Sequence, residues 1–205
     1  MLSPIQLSLR KTMLISGEEI QRRMGLDLNI DPFDPSRLNP NSYDLSLHQE
    51  LLVYEEIVLD AATPNRYRRI EIPAEGLTLQ PGQLYLGRTV EYTETHELVP
   101  MIQGRSSFAR LGLMVNPGGS LGDIGYCGTW TLDLHCVQPI RIYPNMKVCQ
   151  IYYTDILNPG ATYCSNKYQN SRDIKASLIF RELGGDNRDE QMELNFDELL
   201  HGSRS

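Results

Sequence analysis

Long apolar runs are missing from this sequence of 205 residues. The longest ones, such as Leu51–Tyr54, are far shorter than the roughly 20 residues that a membrane-spanning helix needs. No apolar stretch follows Arg10 and Lys11, so we expect neither a secretory signal nor a membrane span. With 40% hydrophobic and 22% charged residues, the composition is typical of a globular protein and excludes a disordered or collagen-like chain.

Cysteine is scarce, and its spacing excludes a disulfide framework. The four cysteines, at 127, 136, 149 and 164, form no Cys-x-x-Cys pair, so we expect reduced thiols and a cytoplasmic protein. Cys127, His135 and Cys136 are potential metal ligands. Because His135 and Cys136 are adjacent, they would point to opposite faces of a strand, and we therefore expect no metal bound by the protein itself.

Positive charge is also in short supply. The formal net charge is −7, and residues 181–205 contribute seven acidic against three basic side chains. A general nucleic-acid-binding protein needs clustered cations for phosphate contacts, so we exclude that class. A few local arginines could still hold an anionic small ligand.

The helical signals are confined to the start of the chain. Ser16 and Glu19 have capping-box spacing, Ile20 and Met24 are apolar at i and i+4, and Gly25 ends the segment. Residues 26–42, rich in proline and Asx residues, are predicted to be loop. We expect an N-terminal extension over 1–12, a single domain over 13–183 and an acidic tail over 184–205.

Most of the domain has the two-residue period of β-strands. Tyr43, Leu45 and Leu47 alternate with polar residues, and residues 148–153 are rich in strand formers. Turn signals such as Pro81-Gly82 and Pro144-Asn145 separate such runs. Many short strands with little helical periodicity predict an all-β sandwich or barrel.

Two segments carry polar groups suited to chemistry. Residues 104–110 read Gly-Arg-Ser-Ser-Phe-Ala-Arg, which places two guanidinium groups and two hydroxyls behind a glycine, a combination suited to phosphate oxygens. In a strand over 129–135, Trp130, Leu132 and Leu134 would face the core. Asp133 would then lie on the polar face as a candidate general base.

Together these motifs resemble the trimeric dCTP deaminase and dUTPase superfamily. The chain has Gly-Arg-Ser-Ser-x-x-Arg at 104–110 and Asp-x-Gly-aromatic-x-Gly-x-x-Thr-Leu-acid at 123–133, with Asn-Ser-Tyr-Asp-Leu at 41–45, Pro-x-Met-Lys-x-x-Gln at 144–150 and Lys-Tyr-Gln-Asn at 167–170. The Lys-Tyr segment and the Thr-Leu-acid strand favour the deaminase branch, and the glycine-rich phosphate-capping motif of the dUTPase branch is not visible. The resemblance implies a dUTPase-like distorted β-barrel (a β-clip fold) with one short N-terminal helix.

The resemblance also implies a site shared between the subunits of a homotrimer. Arg105, Ser106, Ser107 and Arg110 would hold the triphosphate and the reacting base of a neighbouring site. Asp123 would contact the deoxyribose, and Tyr126 would pack against the sugar. Other nucleotide and phosphate contacts are expected from Gly119, Thr131, Gln150, Tyr163, Lys167 and Ser171.

The implied reaction is the zinc-independent hydrolytic deamination of dCTP to dUTP and ammonia, which feeds dUMP and dTTP synthesis. Asp133, Ser106 and Arg110 would be its catalytic residues, with Asp133 taking a proton from water. Mg²⁺ would enter with the substrate triphosphate. Zinc deaminases combine His-x-Glu with Cys-x-x-Cys, and this chain lacks that combination. The family also suggests dTTP as a possible inhibitor.

Several departures from the family pattern leave alternatives open. Asp133 stands where the deaminases carry Glu, and Asn-Pro-Gly-Gly-Ser at 116–120 replaces His-x-Thr-Ala-Gly. One alternative is a dUTP pyrophosphatase, or a bifunctional deaminase and diphosphatase, with Asp123 positioning water; Tyr126 favours this somewhat. Another is a catalytically weakened regulator that binds deoxynucleotides.

Overall fold

The computed structural model describes residues 14–117, 119–156, 163 and 167–183. The predicted extension (1–12) and acidic tail (184–205) lie outside these residues, so the domain boundaries stay predictions. The helices are α1 (Gly17–Arg23), α2 (Ser106–Ala109), α3 (Phe180–Leu183) and a 3-10 turn at Pro35–Arg37. The strands are β1 (Leu28–Asp31), β2 (Leu38–Asn39), β3 (Ser42–Ser46), β4 (Glu50–Tyr54), β5 (Tyr67–Glu71), β6 (Leu77–Leu79), β7 (Tyr85–Arg88), β8 (Tyr92–Thr95), β9 (Val99–Gly104), β10 (Leu113–Pro117), β11 (Cys127–Gly128), β12 (Thr131–Cys136), β13 (Ile140–Ile142) and β14 (Lys147–Thr154).

The all-β prediction is confirmed, and the described helices are short. None of them has the length and apolarity needed to cross a bilayer. Helix α1 begins as the sequence predicted: the Ser16 hydroxyl accepts a hydrogen bond from the Glu19 backbone N–H at 3.2 Å. The cap satisfies one of the free donors of the first turn. Gly25 follows the helix with φ of +75°, a conformation that favours glycine.

The prediction of loop over residues 26–42 was wrong in part. Strand β1 lies within this segment and pairs antiparallel with β8, with Leu28 opposite Thr95 and Ile30 opposite Thr93. Leu28 and Ile30 are both buried. Four residues between a glycine-containing turn and a proline-rich segment carry little local signal, and the partner strand lies far along the chain. Tertiary packing therefore determines this strand.

The described strands form four antiparallel sheets. Their orders are β1-β8-β11, β10-β12-β7-β4-β5, β13-β6 and β2-β3-β14-β9. The large core cluster includes side chains from several of these sheets, among them Ile30, Tyr43, Leu132 and Ile151. Since strands β4, β7 and β12 are neighbours, side chains on one face of their sheet lie side by side.

The five-stranded sheet uses its two faces differently, because successive side chains on a strand point to opposite faces. One face contributes Leu51, Tyr85, Leu132 and Leu134 to the main core, as the sequence predicted for β12. On the other face, Leu52 and Leu86 form a smaller cluster with two residues of the C-terminal segment, Ile174 and Ala176. This second face, with its partial cover, provides the floor of a pocket.

Candidate active site

A cavity of about 450 Å³ opens above the second face of the five-stranded sheet. Its volume lies within the range of about 300–1,000 Å³ that is usual for small-molecule sites. The walls are mainly apolar and aromatic, with a few polar groups. The lining residues are Tyr54, Leu84, Leu86, Gly119, Leu121, Gly122, Asp123, Tyr126, Thr129, Trp130, Thr131, Asp133, Tyr163, Tyr168, Ser171, Lys175, Ala176 and Ser177.

Asp133 brings a carboxylate into this pocket. It lies on β12 directly opposite Leu86 of β7, and the side chain is half-buried. Burial raises the pKa of the Asp133 carboxyl above its usual value, and nearby His135 offsets this in part. A carboxylate whose pKa is raised towards the working pH is a better proton acceptor and donor than a fully solvated one. Thr131, two residues earlier on the same face, also lines the pocket.

Aromatic rings form the wall beside the segment between β10 and β11. The Tyr126 ring contacts Trp130, with centroids 4.5 Å apart, and packs edge-on against Tyr163 at 5.9 Å. The Tyr126 hydroxyl donates to the Thr129 carbonyl at 2.9 Å, and burial raises its pKa strongly. Tyr126 therefore stays protonated and serves as a fixed wall. Trp130 also belongs to the core, and its indole N–H donates to the Thr93 hydroxyl at 2.9 Å.

The segment 171–178 covers the other side of the pocket and is held by hydrogen bonds to side-chain oxygens. The Lys175 N–H donates to the Thr131 hydroxyl at 3.1 Å, and the Ser177 N–H donates to the Tyr54 hydroxyl at 3.0 Å. The Leu178 N–H donates to the Tyr168 hydroxyl at 3.4 Å. This cover contains no strand, so side chains of the pocket fix its position.

Ser171 lies at the start of this cover with its polar groups occupied. Its carbonyl accepts from the Thr129 N–H at 2.8 Å, and its hydroxyl donates to the Asp173 carbonyl at 3.0 Å. Asp173 pairs with both terminal nitrogens of Arg69, at 3.0 and 2.6 Å. Next to it, the Arg172 guanidinium lies 4.3 Å from the centroid of the Tyr92 ring. The acidic side chain of Asp173 is thus paired with Arg69, and Asp173 does not line the pocket.

The arginine-serine segment lies outside the residues that line the pocket. Ser106, Ser107 and Arg110 are exposed on and just after α2. Within the described part of the chain, their side chains make no hydrogen bond or ion pair. Gly104, before them, is needed for packing: a Cβ there would come within 2.6 Å of the Val115 carbonyl oxygen.

Arg105 and Gln150 meet at a second polar cluster, centred on Asp44. The buried Asp44 carboxylate accepts from Gln150 Nε2 and Asn39 Nδ2, each at 3.0 Å. Arg105 Nε lies 3.7 Å and Lys147 Nζ 3.8 Å from its oxygens. Arg105 also donates to the Lys147 carbonyl at 3.1 Å. We call Asp44, Arg105, Lys147, Gln150 and residues 106–110 the phosphate corner, after the role that the sequence resemblance implies for this region.

Of the sequence-predicted site residues, the structure gathers seven around the pocket. These are Gly119, Asp123, Tyr126, Thr131, Asp133, Tyr163 and Ser171. It gathers Arg105, Ser106, Ser107, Arg110 and Gln150 at or near the phosphate corner. Lys167 joins neither group directly; its ammonium forms an ion pair with Glu182 of α3.

Sequence reasoning assigned no site role to several residues that the structure brings to these two groups. Tyr54, Tyr168 and Lys175 line the pocket, and Asp44 holds the phosphate corner together. Asp44 stood in a recognised motif but was assigned no site role. A buried acid among four basic or amide side chains could not be identified without the β3–β14 pairing.

Metal-ligand geometry occurs at one place in the described residues, away from the pocket. The potential ligand atoms of Glu94, His96 and Cys127 all lie within 4.8 Å of one another. None of these residues lines the cavity.

Comparison with known proteins gives a consistent result. A family model described as dCTP deaminase-like matches residues 14–156. A dCTP deaminase of Rhodopirellula baltica is 66% identical over 191 residues, which cover 93% of this chain and 96% of that protein. A protein of Hathewaya histolytica named "dCTP deaminase, dUMP-forming" is 54% identical over 83% of this chain and 99% of its own length.

A solved structure supports the fold. The crystal structure of a 2′-deoxycytidine 5′-triphosphate deaminase from Agrobacterium tumefaciens superposes with a TM-score of 0.58 at 18% identity. The match covers 71% of this chain and 49% of that longer one. The dUTPase-like all-β architecture expected from the sequence is thereby confirmed.

Proposed function

The chain belongs to the dCTP deaminase-like family, and we propose that Asp133 is the general base of its hydrolytic deamination of dCTP. The products are dUTP and ammonia. The observation that carries the assignment is the half-buried carboxylate of Asp133 in a nucleoside-sized pocket, with a pKa raised by burial.

Asp133 can carry the proton that this reaction moves from water to the leaving amine. Its ionised carboxylate accepts a proton from a water molecule, and the resulting hydroxide attacks C4 of the cytosine ring. The protonated carboxyl then donates that proton to the exocyclic amine, which leaves as ammonia when the C4–N4 bond breaks. The proton of the new C4 hydroxyl passes to N3 as the C4 carbonyl forms, which gives the uracil ring, and the carboxylate is regenerated. Asp123 and Tyr126 would position the deoxyribose and Gly119 the base edge.

We propose that the triphosphate is held by the phosphate corner of a second copy in a homotrimer. The support is that the guanidinium of Arg110 and the hydroxyls of Ser106 and Ser107 are exposed, and that they do not line the pocket of their own chain. In this arrangement Ser106 and Arg110 would approach the reacting base from the neighbouring subunit. Gln150 and Lys167 would add further nucleotide and phosphate contacts.

Mg²⁺ would enter with the triphosphate as part of the substrate. The phosphate corner supplies cationic and amide donors around one carboxylate that is already surrounded by them. This donor set suits phosphate oxygens and does not suit a bare hard cation, which prefers oxygen ligands. A free deoxynucleotide as substrate favours a cytoplasmic location.

The decisive assay follows ammonia release and the nucleotide products from dCTP and Mg²⁺. We expect stoichiometric ammonia and deoxyuridine nucleotides from the unchanged chain. Asp133→Asn should retain nucleotide binding but lose turnover. The charge-matched control, Glu75→Gln in an exposed turn, should leave turnover unchanged. Turnover by Asp133→Asn at the original rate would contradict the assignment.

A second candidate activity is the further conversion of dUTP to dUMP and pyrophosphate in the same site. It is supported by curated relatives at 49–54% identity whose names include "dUMP-forming". Water would attack the α-phosphorus, the bond to the bridging oxygen would break, and pyrophosphate would leave, with Asp123 positioning the water. Pyrophosphate released in step with ammonia would support this activity, and dUTP as the sole nucleotide product would exclude it.

A further inference from the structure

Glu94, His96 and Cys127 form a cluster of three different metal-ligating groups on the sheet β1-β8-β11. A carboxylate oxygen, an imidazole nitrogen and a thiol sulfur lie within 4.8 Å of one another. His96 Nε2 is 3.8 Å from Glu94 Oε2. The deamination described above uses none of these residues.

Strand geometry brings the three side chains together. Glu94 belongs to β8, and His96 follows two positions later, so both project from the same face. Thr95 between them is buried on the opposite face. Cys127 of β11 is directly opposite Glu94 in the register, and directly opposed residues share a face at short Cβ separation.

Hydrogen bonds of the backbone hold Cys127 and His96 in place, and strand pairing with Asn29 and Cys127 holds Glu94. The Cys127 N–H donates to Gln169 Oε1 at 3.1 Å, and its carbonyl accepts from the Asn170 N–H at 2.7 Å. The His96 N–H donates to the Asp27 carbonyl at 2.9 Å. Bringing the three side chains onto a metal ion at this face would therefore require only side-chain rotation, without a change of fold.

The donor set has the chemistry of a zinc-type site. Thiolate, imidazole and carboxylate suit a borderline-soft divalent ion such as Zn²⁺ or Co²⁺. Bonds of about 2.0–2.3 Å place tetrahedral ligand atoms roughly 3.3–3.8 Å apart, so the observed spacing requires only a small contraction. The side chains of His96 and Glu94 are 55% and 35% exposed, which leaves an entry path and room for water as the fourth ligand.

We propose that Glu94, His96 and Cys127 bind a zinc-type divalent ion at a site separate from the deaminase pocket. The ion takes no part in proton transfer, because its ligands do not line the pocket. It joins β8 to the segment 123–128, which carries Asp123 and Tyr126 of the pocket wall. Its role is to stiffen that wall.

Cobalt titration of the chelator-treated full chain tests the proposal. We expect one Co²⁺ per chain with a thiolate-to-cobalt charge-transfer absorption, displaced by one equivalent of Zn²⁺. Cys127→Ser should abolish the absorption, whereas Cys164→Ser, a matched change outside the described residues, should retain it. His96→Ala and Glu94→Gln should each weaken Co²⁺ binding at least about tenfold, the loss that even outer-shell changes produce, and His135→Ala should not.

The results of the cobalt titration can contradict the proposal in three ways. An absorption band that persists in Cys127→Ser, or that is lost in Cys164→Ser, overturns the proposal, as does a chain that takes up no Co²⁺. Circular dichroism of each variant ensures that lost binding is not lost folding. Because the proposed site does not depend on deamination, the result stands whatever the activity assay shows.

Discussion

The pocket and the phosphate corner of one chain differ in how their residues are held and in the charges that surround their acidic side chains. Sheet register and aromatic packing fix the pocket, and its half-buried acid, Asp133, has a pKa raised by desolvation. The phosphate corner surrounds a buried Asp44 with cations and amides, and its outermost groups, such as Arg110, are exposed. The pocket is suited to a base and sugar, and the corner to an anion. Since the pocket lining includes no residue of the corner, one chain carries two separate polar groups, which the proposed trimer would bring together as two half-sites.

The largest expected effect comes from two variants, one with a change in the pocket and the other with a change in the phosphate corner. Asp133→Asn should lower kcat/KM by at least about a hundredfold, the lower range for a lost acid-base group, and Arg110→Ala should lower it by removing a charge-assisted contact to the nucleotide. Mixing the two variants under conditions of subunit exchange should restore activity in about one quarter of the sites, because a cyclic trimer pairs one chain's pocket with another chain's corner. Absence of recovery, with exchange verified by mass spectrometry, would place both half-sites on one chain.

A conservative change at the same position tests proton transfer itself. Asp133→Glu keeps a carboxylate and extends it by one methylene, so we expect ammonia release well above that of Asp133→Asn. Since a misplacement on the order of 1 Å can cost about a hundredfold, the rate of Asp133→Glu relative to the unchanged chain measures how closely the carboxylate must approach the water. If Glu and Asn were equally inactive in the ammonia assay, a positioned proton acceptor would not be the role of Asp133.

A smaller effect is expected at the centre of the phosphate corner. Asp44→Asn removes the charge that orients Arg105 and Gln150, and hydrogen bonds to charged groups contribute about 1.5–3 kcal/mol. We therefore expect KM for dCTP to rise about tenfold with a smaller change in kcat. Asp60→Asn, in the exposed turn where Asp60 contacts Asn65, is the control. A fall in kcat at constant KM would show instead that Asp44 acts on the chemical step.

The smallest effects are opposite shifts in stability for two acids near the pocket. Burial raises the folded pKa of Asp133, so its contribution to stability is present below the unfolded pKa and is lost as pH rises through the folded value. The Arg69 side chain lowers the folded pKa of Asp173, so its contribution is present above the unfolded pKa and is lost as pH falls through the folded value. At pH 7, Asp133→Asn should raise Tm slightly, and Asp173→Asn should lower it.

Both differences should shrink in acid. Melting curves from pH 7 down to about 4, near the unfolded pKa of Asp, measure them. Shifts of the same sign at pH 7 would contradict the assigned environments of the two carboxylates.

Local sequence patterns predicted the cap of the first helix and the alternation of buried side chains along a strand. The Ser16 cap of α1 was predictable from one hydroxyl and its spacing to Glu19. The burial of Leu132 and Leu134 followed from strand alternation. Family motifs also predicted Asp133 as a site residue; this stays a prediction, although Asp133 does line the pocket.

Contacts between distant segments were not predictable in the same way. The sequence suggested His135 and Cys136 as potential metal ligands together with Cys127. In the fold, Cys127 instead lies opposite Glu94 in the β8–β11 register. Strand β1 and the role of Asp44 were missed for the same reason. In each case the partner is remote along the chain, and only tertiary packing makes them neighbours.

The alternating faces of β12 also affect how such a protein can evolve. Residues 132, 134 and 136 fill the interior, while 131, 133 and 135 face the other way. Mutations on the pocket-facing positions can alter chemistry with little cost to folding, and interior positions can drift with little effect on catalysis. A single-residue deletion within the strand would move each set of side chains to the opposite face of the sheet. Selection can therefore change either set of residues, but the strand must keep its register.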